Sequence, residues 1–256
     1  MKINDIIENA TYVQFPKLDQ TYRIYSSLEG KNIIKLPTTD MLYKTWKMNE
    51  HHYTTQYHRE IVYPIWAELF GFEYDPNDYH LIKKESDGYD ISMLVPNKEY
   101  NFDVECFDRN ETISNVSYEK LINGTLGPTD YHRLYLYPHM CSKIVNNTID
   151  NDRKLFISAD SQMIPSIAFL AQHFKETYHF DNRTTKSFKD IIESVDYTDV
   201  LLALWDDSID RYVNYNLNGT PCHEDKPNKK VTTNNKIKSK HAVREHDLPA
   251  HKMFRS

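Results

Sequence analysis

Residues 155–163, LFISADSQM, join an apolar run to a short polar stretch, and this junction indicates the fold. The apolar letters LFI predict a buried strand, and the letters SADS are small or polar. Residues 163–174 (MIPSIAFLAQHF) then return to apolar residues at helical spacing, with Pro165 tolerable in a first turn. The junction therefore predicts a strand, a sharp turn and a helix.

Ser161 lies in the predicted turn, beside the free N–H groups with which a helix begins. A nucleophile and an oxyanion site can be built together at such a place. The same position also suits an ordinary helix cap by Asp160 or Ser161. The stretch alone leaves both interpretations open.

The surrounding pattern predicts an α/β domain on a parallel sheet. Strand patterns at residues 177–180 (TYHF) and 199–205 (DVLLALW) flank a charged helix, KSFKDIIESV. This alternation of strand and helix is typical of a parallel sheet with right-handed crossovers. Upstream, residues 57–71 predict an amphipathic helix, capped by Thr54 or Thr55 and ended by Gly71. Residues 72–120 predict an inserted set of extended segments.

Length and composition set the domain organisation and exclude several function classes. A chain of 256 residues can bury one domain, which we place at residues 1–218. Residues 219–256 are poor in apolar residues and predict a basic, disordered tail, or else an arm for a polyanion or membrane surface. The net charge of −6, with both signs interspersed, gives no nucleic-acid signature. No apolar run is long enough for a transmembrane segment, and no secretory signal is evident.

The cysteines and histidines show no metal-binding pattern. Cys106, Cys141 and Cys222 are far apart and form no CxxC pair, so reduced thiols are expected, with one disulfide left open. The histidines and glutamates between residues 50 and 60 contain no HExxH motif. We therefore predict no metal and no bound cofactor.

Three separate stretches carry residues suited to nucleophilic catalysis. They are Glu50-His51-His52, the glycine loop NGTLGP at residues 123–128, and Asp160-Ser161. A serine hydroxyl needs a base to take its proton, and an imidazole base works best when a carboxylate fixes its tautomer. Taken singly, the two histidines before a helix are equally explained as surface or packing residues.

These stretches resemble the permuted branch of the SGNH hydrolases that includes the alginate O-acetyltransferase-like or DHHW proteins. EHHYTTQYHREIVYPIWAEL (50–69) is similar to the Asp-His-His-Trp motif and the helix after it, and NGTLGP is similar to the family's Gly-Asp-Leu-Gly segment. LFISADSQMIPSIAFLAQHFKETYHFDNR (155–183) resembles the serine-bearing segment. The segments occur in the family's order, and the resemblance covers about residues 35–217.

The resemblance implies a catalytic role for three residues and a supporting role for five more. Ser161 is the implied nucleophile, His52 its general base and Glu50 the carboxylate that orients the base. The implied oxyanion and substrate-binding candidates are Gln162, Asn123, Gly124, Asp181 and Arg183. The last two match the family's Asp-x-Arg, for which a salt-bridged brace and a place near an acyl or sugar group are alternative roles.

Four positions depart from the family pattern. Ala159 replaces a glycine, which matters if that residue needs a positive φ. Glu50 replaces aspartate and adds a methylene, and misplacement on that scale can cost about a hundredfold in rate. Tyr53 replaces tryptophan, and Thr125 replaces the aspartate of the glycine loop. Together they make a weakened or inactive site an alternative.

The implied fold is a three-layer α/β sandwich of the SGNH type with the catalytic order permuted. The implied function is an O-acetyltransferase or acetylesterase acting on carbohydrate hydroxyls of a bacterial surface polysaccharide or its precursor. Its partners are a glycan acceptor and an acyl donor such as acetyl-coenzyme A. The expected location is the cytoplasm, alone or beside a membrane-bound polysaccharide assembly system. The alternatives are a non-catalytic carbohydrate-binding protein, with the aromatics of residues 131–139 as a sugar platform, and an esterase of a non-glycan ester.

Overall fold

The computed structural model describes seven stretches of the chain. They are residues 10–15, 29–37, 55–86, 89–107, 111–123, 141–181 and 188–205. The predicted boundary at residue 218 and the predicted tail at residues 219–256 lie outside these stretches, so both stay predictions.

In the described stretches ten strands form one large sheet and one hairpin. In chain order they are β1 (Thr11–Phe15), β2 (Asn32–Lys35), β3 (Tyr79–Ser86), β4 (Tyr89–Pro96), β5 (Asn101–Cys106), β6 (Glu111–Ser117), β7 (Cys141–Asn146), β8 (Lys154–Ala159), β9 (Glu176–Asp181) and β10 (Asp199–Trp205). The large sheet has eight strands in the order β2-β1-β10-β8-β9-β7-β5-β6. The strands from β2 to β9 in this order are parallel, and β7, β5 and β6 are antiparallel.

The helices are short and lie between the strands in the chain. They are α1 (Thr55–Tyr57), a π-helical turn (His58–Val62), α2 (Tyr63–Phe70), α3 (Tyr118–Asn123), α4 (Ile164–Ala171) and α5 (Phe188–Ser194), with 3₁₀ turns at Pro76–Asp78 and Ser161–Met163. The strand, turn and helix predicted at residues 155–174 are confirmed, as is the alternation from β8 through α4, β9 and α5 to β10.

The helical segment from α1 to α2 confirms the helix predicted at residues 57–71. It ends at Gly71, whose φ of 70° is the left-handed conformation that glycine adopts without strain. Pro64 is the second residue of α2 and follows directly on the π-helical turn His58–Val62. Thr55 is already the first helical residue, so of the two predicted caps only Thr54 remains, outside the described stretches.

Helices cover both faces of the large sheet. On one face α2 and α4 pack against inward side chains of β1, β5, β8 and β10, such as Phe15, Val104 and Ile157. On the other face α5 packs Ile192 against Phe156 and Phe180. Because β8 is buried on both faces, residues 155–159 are buried without interruption and show no alternation. The arrangement is an α/β sandwich, as predicted.

Only part of the predicted insertion at residues 72–120 stands apart from the large sheet. β3 and β4 form a separate two-stranded hairpin, whereas β5 and β6 extend the large sheet by antiparallel pairing with β7. The sheet is therefore mixed, where a parallel one was expected. Alternating burial along β5 shows one face on the core, a pattern that identifies a strand without saying which sheet it joins.

The described cysteines do not form a disulfide. Cys106 and Cys141 are both buried thiols, and they belong to the core clusters on opposite faces of the sheet. Cys222 lies outside the described residues. None of the helices described is long and apolar enough to span a membrane.

Candidate active site

The 3₁₀ turn Ser161–Met163 follows β8 after a single residue, Asp160. The Oδ1 atom of Asp160 accepts a hydrogen bond from the backbone N–H of Gln162 at 2.9 Å, and its carbonyl accepts from the N–H of Met163 at 3.1 Å. Asp160 therefore caps the 3₁₀ turn, whereas α4 itself begins after Met163 without a side-chain cap. Ser161 is the first residue of this turn and follows the carboxyl end of β8, a central strand. The hydrogen bonds made by Asp160 are compatible with a nucleophilic Ser161.

Removal of the Asp160 cap is expected to destabilise the protein modestly. In Asp160→Ala the buried Gln162 N–H loses its acceptor, and we expect a loss of about 1 kcal/mol, the usual cost of a lost N-terminal cap. Asp160→Asn keeps a side-chain oxygen and should retain most of the stability. The free energy of unfolding in urea measures both variants, and an equal loss in the two would show that the cap is not the cause.

Ala159 does not need the conformation that glycine would supply. Among the described residues Asn115, with a φ of 56°, is the one non-glycine residue that has a positive φ. Ala159 is fully buried and pairs in register with Asp181 and Ala203 on the neighbouring strands. The departure from glycine at this position therefore puts no strain on the turn.

The backbone N–H of Gln162 already has a partner. It donates to Asp160 at 2.9 Å, and the Gln162 side chain is buried. Of the two predicted oxyanion donors on the turn, the Gln162 N–H is thus committed to a carboxylate. The N–H of Ser161 is therefore the oxyanion donor on this turn that we retain as a prediction.

Asp181 lies next to the turn. It ends β9, it is the register partner of Ala159, and none of its surface is exposed. Parallel strands end at the same sheet edge, about 4.8 Å apart, so β9 delivers this carboxyl group beside the turn. Its complete burial favours the structural role over direct contact with a substrate. Arg183, the other half of the predicted pair, lies outside the described residues.

A polar strip on β9 was missed in the sequence. Thr177, His179 and Asp181 are buried on the face that α4 covers, and Ser142 of β7 is the register partner of His179. The signal was present in TYHFD, where three polar residues alternate with Tyr178 and Phe180 in a strand with apolar neighbours. Polar groups are thus buried under the helix that follows Ser161.

Hydrogen bonds join the helical segment from α1 to α2 to the first turn of α4. The hydroxyl of Ser166 lies 2.8 Å from Nδ1 of His58 and accepts from Nε1 of Trp66 at 3.0 Å. The Tyr63 hydroxyl donates to the Pro165 carbonyl at 2.7 Å. The three members of the Ser166 network are fully buried, and His58 lies in the π-helical turn. Such turns are frequent at functional sites.

The structure does not describe the other predicted site residues, except Asn123. Asn123 is the exposed last residue of α3, directly before the glycine loop. Glu50, His51, His52 and Tyr53 lie outside the described residues, as do Gly124 and Thr125. No group of three or more His, Cys, Asp or Glu side chains in the described stretches could hold a metal ion.

Comparison with known proteins identifies structural relatives at low sequence identity. No protein-family model matches the chain, and no curated protein does. Bacillus cereus PatB1 carrying a sulfonyl adduct has a TM-score of 0.58 at 16% identity, over 81% of this chain and 85% of that one. PatB1 without the adduct has a TM-score of 0.56 at the same identity and coverage. A DHHW family protein from Eubacterium siraeum has a TM-score of 0.54 at 16% identity, over 78% of each chain.

These likenesses define the class of fold. The chain shares the overall α/β architecture of a DHHW family protein and of PatB1 over about four fifths of its length. At this identity the likeness extends to the fold alone. What the site does is therefore inferred from its own residues.

Proposed function

We propose that this protein is a serine-dependent O-acetyltransferase or acetylesterase that acts on carbohydrate hydroxyls of a bacterial surface polysaccharide or its precursor. One observation carries the proposal. The helix that follows Ser161 is hydrogen-bonded, through Ser166 and Pro165, to the helical segment that follows Glu50 and His52. The stretch that carries Glu50 and His52 and the stretch that carries Ser161 are thus attached to helical segments that pack against each other.

The length of chain between His52 and α1 supports a short distance between base and nucleophile. His52 lies three residues before Thr55, the first residue of α1, and three residues span at most about 11 Å. Thr55 itself is buried. His52 can therefore lie no farther than about 11 Å from Thr55, which is compatible with a base near the segment that bonds to the first turn of α4.

In the proposed reaction the acyl group passes through Ser161. The Ser161 hydroxyl oxygen attacks the carbonyl carbon of the acyl donor while His52 takes its proton and Glu50 orients the imidazole. The Ser161 N–H, with Asn123 and Gly124 from the glycine loop, stabilises the tetrahedral oxyanion. As the oxyanion collapses, His52 protonates the leaving group and an acyl-serine remains.

The second half of the reaction decides between transfer and hydrolysis. A sugar hydroxyl or a water gives its proton to His52 and attacks the acyl-serine, which releases the acylated sugar or the free acid and restores Ser161. The same groups serve both outcomes, so the exclusion of water from the acceptor site sets the ratio. A thioester such as acetyl-coenzyme A is a suitable donor in the cytoplasm.

The structural likeness to PatB1 suggests a practical probe. PatB1 was captured with a sulfonyl adduct, and sulfonyl and phosphonyl fluorides are electrophiles that react with activated nucleophiles. If this chain carries an activated serine in the same fold, it should react in the same way. The reaction requires no knowledge of the glycan.

Covalent labelling by a fluorophosphonate tests the nucleophile directly. We expect the wild-type protein to be labelled stoichiometrically, and Ser161→Ala and His52→Ala to lose the label, since one removes the nucleophile and the other its base. Ser158→Ala is a matched control, because Ser158 is a fully buried serine on β8, three residues before Ser161. It should keep the label. Intact mass spectrometry measures all four proteins.

Two results would contradict the assignment of Ser161. One is a wild-type protein that is not labelled, and the other is a Ser161→Ala variant labelled as fast as the wild type. If labelling follows the prediction, a panel of acetylated glycans and p-nitrophenyl esters identifies the ester class. Preference for the simple esters would favour the non-glycan esterase.

A further inference from the structure

A cavity lies on the face of the large sheet that α5 covers, opposite to α4. It has a volume of about 620 Å³ and lies between α5 and the strands β5, β6, β7 and β9. We call it the back groove. Its size is within the range of small-molecule and oligosaccharide sites.

One row of side chains across four strands forms the floor of the back groove. Thr112 pairs in register with Glu105, Glu105 with Lys143, and Lys143 with Tyr178. Register partners point to the same face of a sheet, so the four side chains form a continuous polar row. Ser194 of α5 adds a hydroxyl group from the opposite wall.

The charges around the back groove balance. Lys143 Nζ lies 3.3 Å from Glu176 Oε2, and Lys154 Nζ lies 3.9 Å from the same oxygen. The Tyr178 hydroxyl also donates to that oxygen at 2.6 Å. Partial burial raises the pKa of Glu176, but these partners outweigh it and hold the pKa below its ordinary value. Among the residues that line the back groove, Glu105 and Lys143 carry opposite charges, which favours a neutral ligand.

The lining combines polar and apolar groups in the way that sugars require. Carboxylate and ammonium groups form strong hydrogen bonds with hydroxyl groups. Phe107 is half-buried at one end of the row, and Ile191 and Val195 form an apolar wall along α5. An apolar ligand would desolvate the polar row without compensation, and an anion would meet Glu105 and Glu176. A neutral polyol offers hydroxyl groups to the polar row and apolar C–H faces to the wall along α5.

The back groove opens near the sheet edge where Ser161 lies. The Phe107 N–H donates to the Cys141 carbonyl at 3.0 Å, and Cys141 pairs with Phe180, one residue before Asp181. Phe107 thus lies at the edge where β8 and β9 end. From β8 to β5 there are three strand spacings, about 14 Å. A chain molecule could cross this edge and occupy both places.

We infer that the back groove binds a neutral glycan chain, the distal sugars of a polymeric acceptor whose nearer hydroxyl receives the acyl group at Ser161. This inference rests on the proposed function for the identity of the acceptor. It assigns to Thr112, Glu105, Lys143 and Ser194 a role in acceptor binding that is separate from the acyl-transfer chemistry.

A pair of tryptophan variants on β6 tests the inference. Thr112→Trp fills the back groove, whereas Glu111→Trp places the same bulk on the opposite face, since Glu111 pairs with Cys106. Both residues are exposed on an edge strand, where tryptophan is well tolerated. The probe is chitohexaose, a neutral N-acetylglucosamine hexamer, titrated calorimetrically into Ser161→Ala so that no turnover occurs.

The expected result is binding of chitohexaose with a Kd of about 1 mM or tighter. Thr112→Trp should weaken binding about tenfold or more, and Glu105→Gln severalfold, while Glu111→Trp leaves it unchanged. Unchanged binding in Thr112→Trp, absence of binding in Ser161→Ala, or tighter binding of a mannuronate hexamer than of chitohexaose would each overturn the inference. Thermal unfolding of both tryptophan variants checks that they are folded.

Labelling of Ser161 separates this inference from the proposed function. Labelling is measured on the wild-type protein, because it reports on the nucleophile and does not depend on acceptor binding in the back groove. If Ser161 is not labelled but chitohexaose still binds in the back groove, the catalytic proposal fails and the binding site stands. If labelling is normal and Thr112→Trp binds chitohexaose as the wild type does, only the back groove is wrong.

Discussion

Replacement of Ser161 by alanine is expected to lower kcat/KM for acetyl transfer or ester hydrolysis by about 10³-fold or more. Removal of a serine nucleophile leaves only substrate binding and oxyanion stabilisation, which account for a small residue of the rate in enzymes of this kind. The measurement is acetate or acetylated-glycan production from acetyl-coenzyme A or an acetylated glycan. This is the largest effect that we predict for any single side chain.

The combination of variants tells a catalytic unit from independent contributions. Groups that act together are strongly non-additive, so Ser161→Ala/His52→Ala should be no slower than Ser161→Ala alone. Glu50→Ala should lose less than either, because a carboxylate that orients the base acts indirectly. Additive losses in the double variant would show that His52 does not act through Ser161.

Glu50→Asp tests the added methylene at this position. Shortening the side chain moves the carboxylate by more than about 1 Å, a displacement that can change the rate about a hundredfold. If the backbone has adapted to glutamate, Glu50→Asp should be the slower enzyme, although it restores the residue of the family motif. Equal rates would show that the carboxylate at residue 50 does not contact the base.

The second large effect is expected for Ser166. In Ser166→Ala the Nε1 group of Trp66 loses its acceptor and Nδ1 of His58 loses its partner, both without access to water. A buried polar group left unsatisfied costs about 1–3 kcal/mol, so we expect a loss of about 2–4 kcal/mol in the free energy of unfolding. That is a large fraction of the stability of an ordinary domain.

Urea unfolding followed by tryptophan fluorescence measures this loss, with two comparison variants. Ser194→Ala removes an exposed serine hydroxyl that bonds only within α5, and it should cost less than about 0.5 kcal/mol. Trp66→Phe removes one donor of the network but keeps the hydroxyl of Ser166 for His58, and it should fall between the two, with circular dichroism as the signal. A Ser166→Ala variant as stable as Ser194→Ala would show that the network is not stabilising.

The same variant reports on catalysis. Because the Ser166 network holds the segment after His52 against the start of α4, its loss should misplace the base relative to Ser161. Under conditions where the variant remains folded, we expect kcat to fall while KM changes little, since ground-state binding is not affected. A change in KM alone would place the network in substrate binding.

The strand, turn and helix around Ser161 could be predicted because each has a local cause. Buried residues 155–157 require a strand, the polar pair Asp160-Ser161 follows its end at Ala159, and Pro165 is confined to a first turn. The end of the first long helix at Gly71 was predictable for the same reason, since a left-handed residue there is best supplied by glycine. The order of strands and helices then implied a sandwich.

The sequence could not predict which sheet β5 and β6 join, because a strand in a separate insertion and a strand at the edge of the large sheet have the same residue pattern. Ser166 was missed as well. A serine in an apolar helix looks like a tolerated polar residue until His58 and Trp66, about a hundred residues away, are seen to bond to it. The back groove was also hidden, because its floor comes from residues of four strands that are distant in the chain.

The amino-acid sequence by itself determined the local elements of this protein and the chemical types of its candidate nucleophile, base and carboxylate, because both depend on residue identity and short-range pattern. Only the tertiary structure decided which of these elements meet. In the folded protein the Gln162 N–H donates to Asp160, and Asp181 is buried beside Ala159. The helical segment after His52 is hydrogen-bonded to the helix after Ser161. Such contacts join residues far apart in the chain, and they form only when the packing of the whole core brings them together.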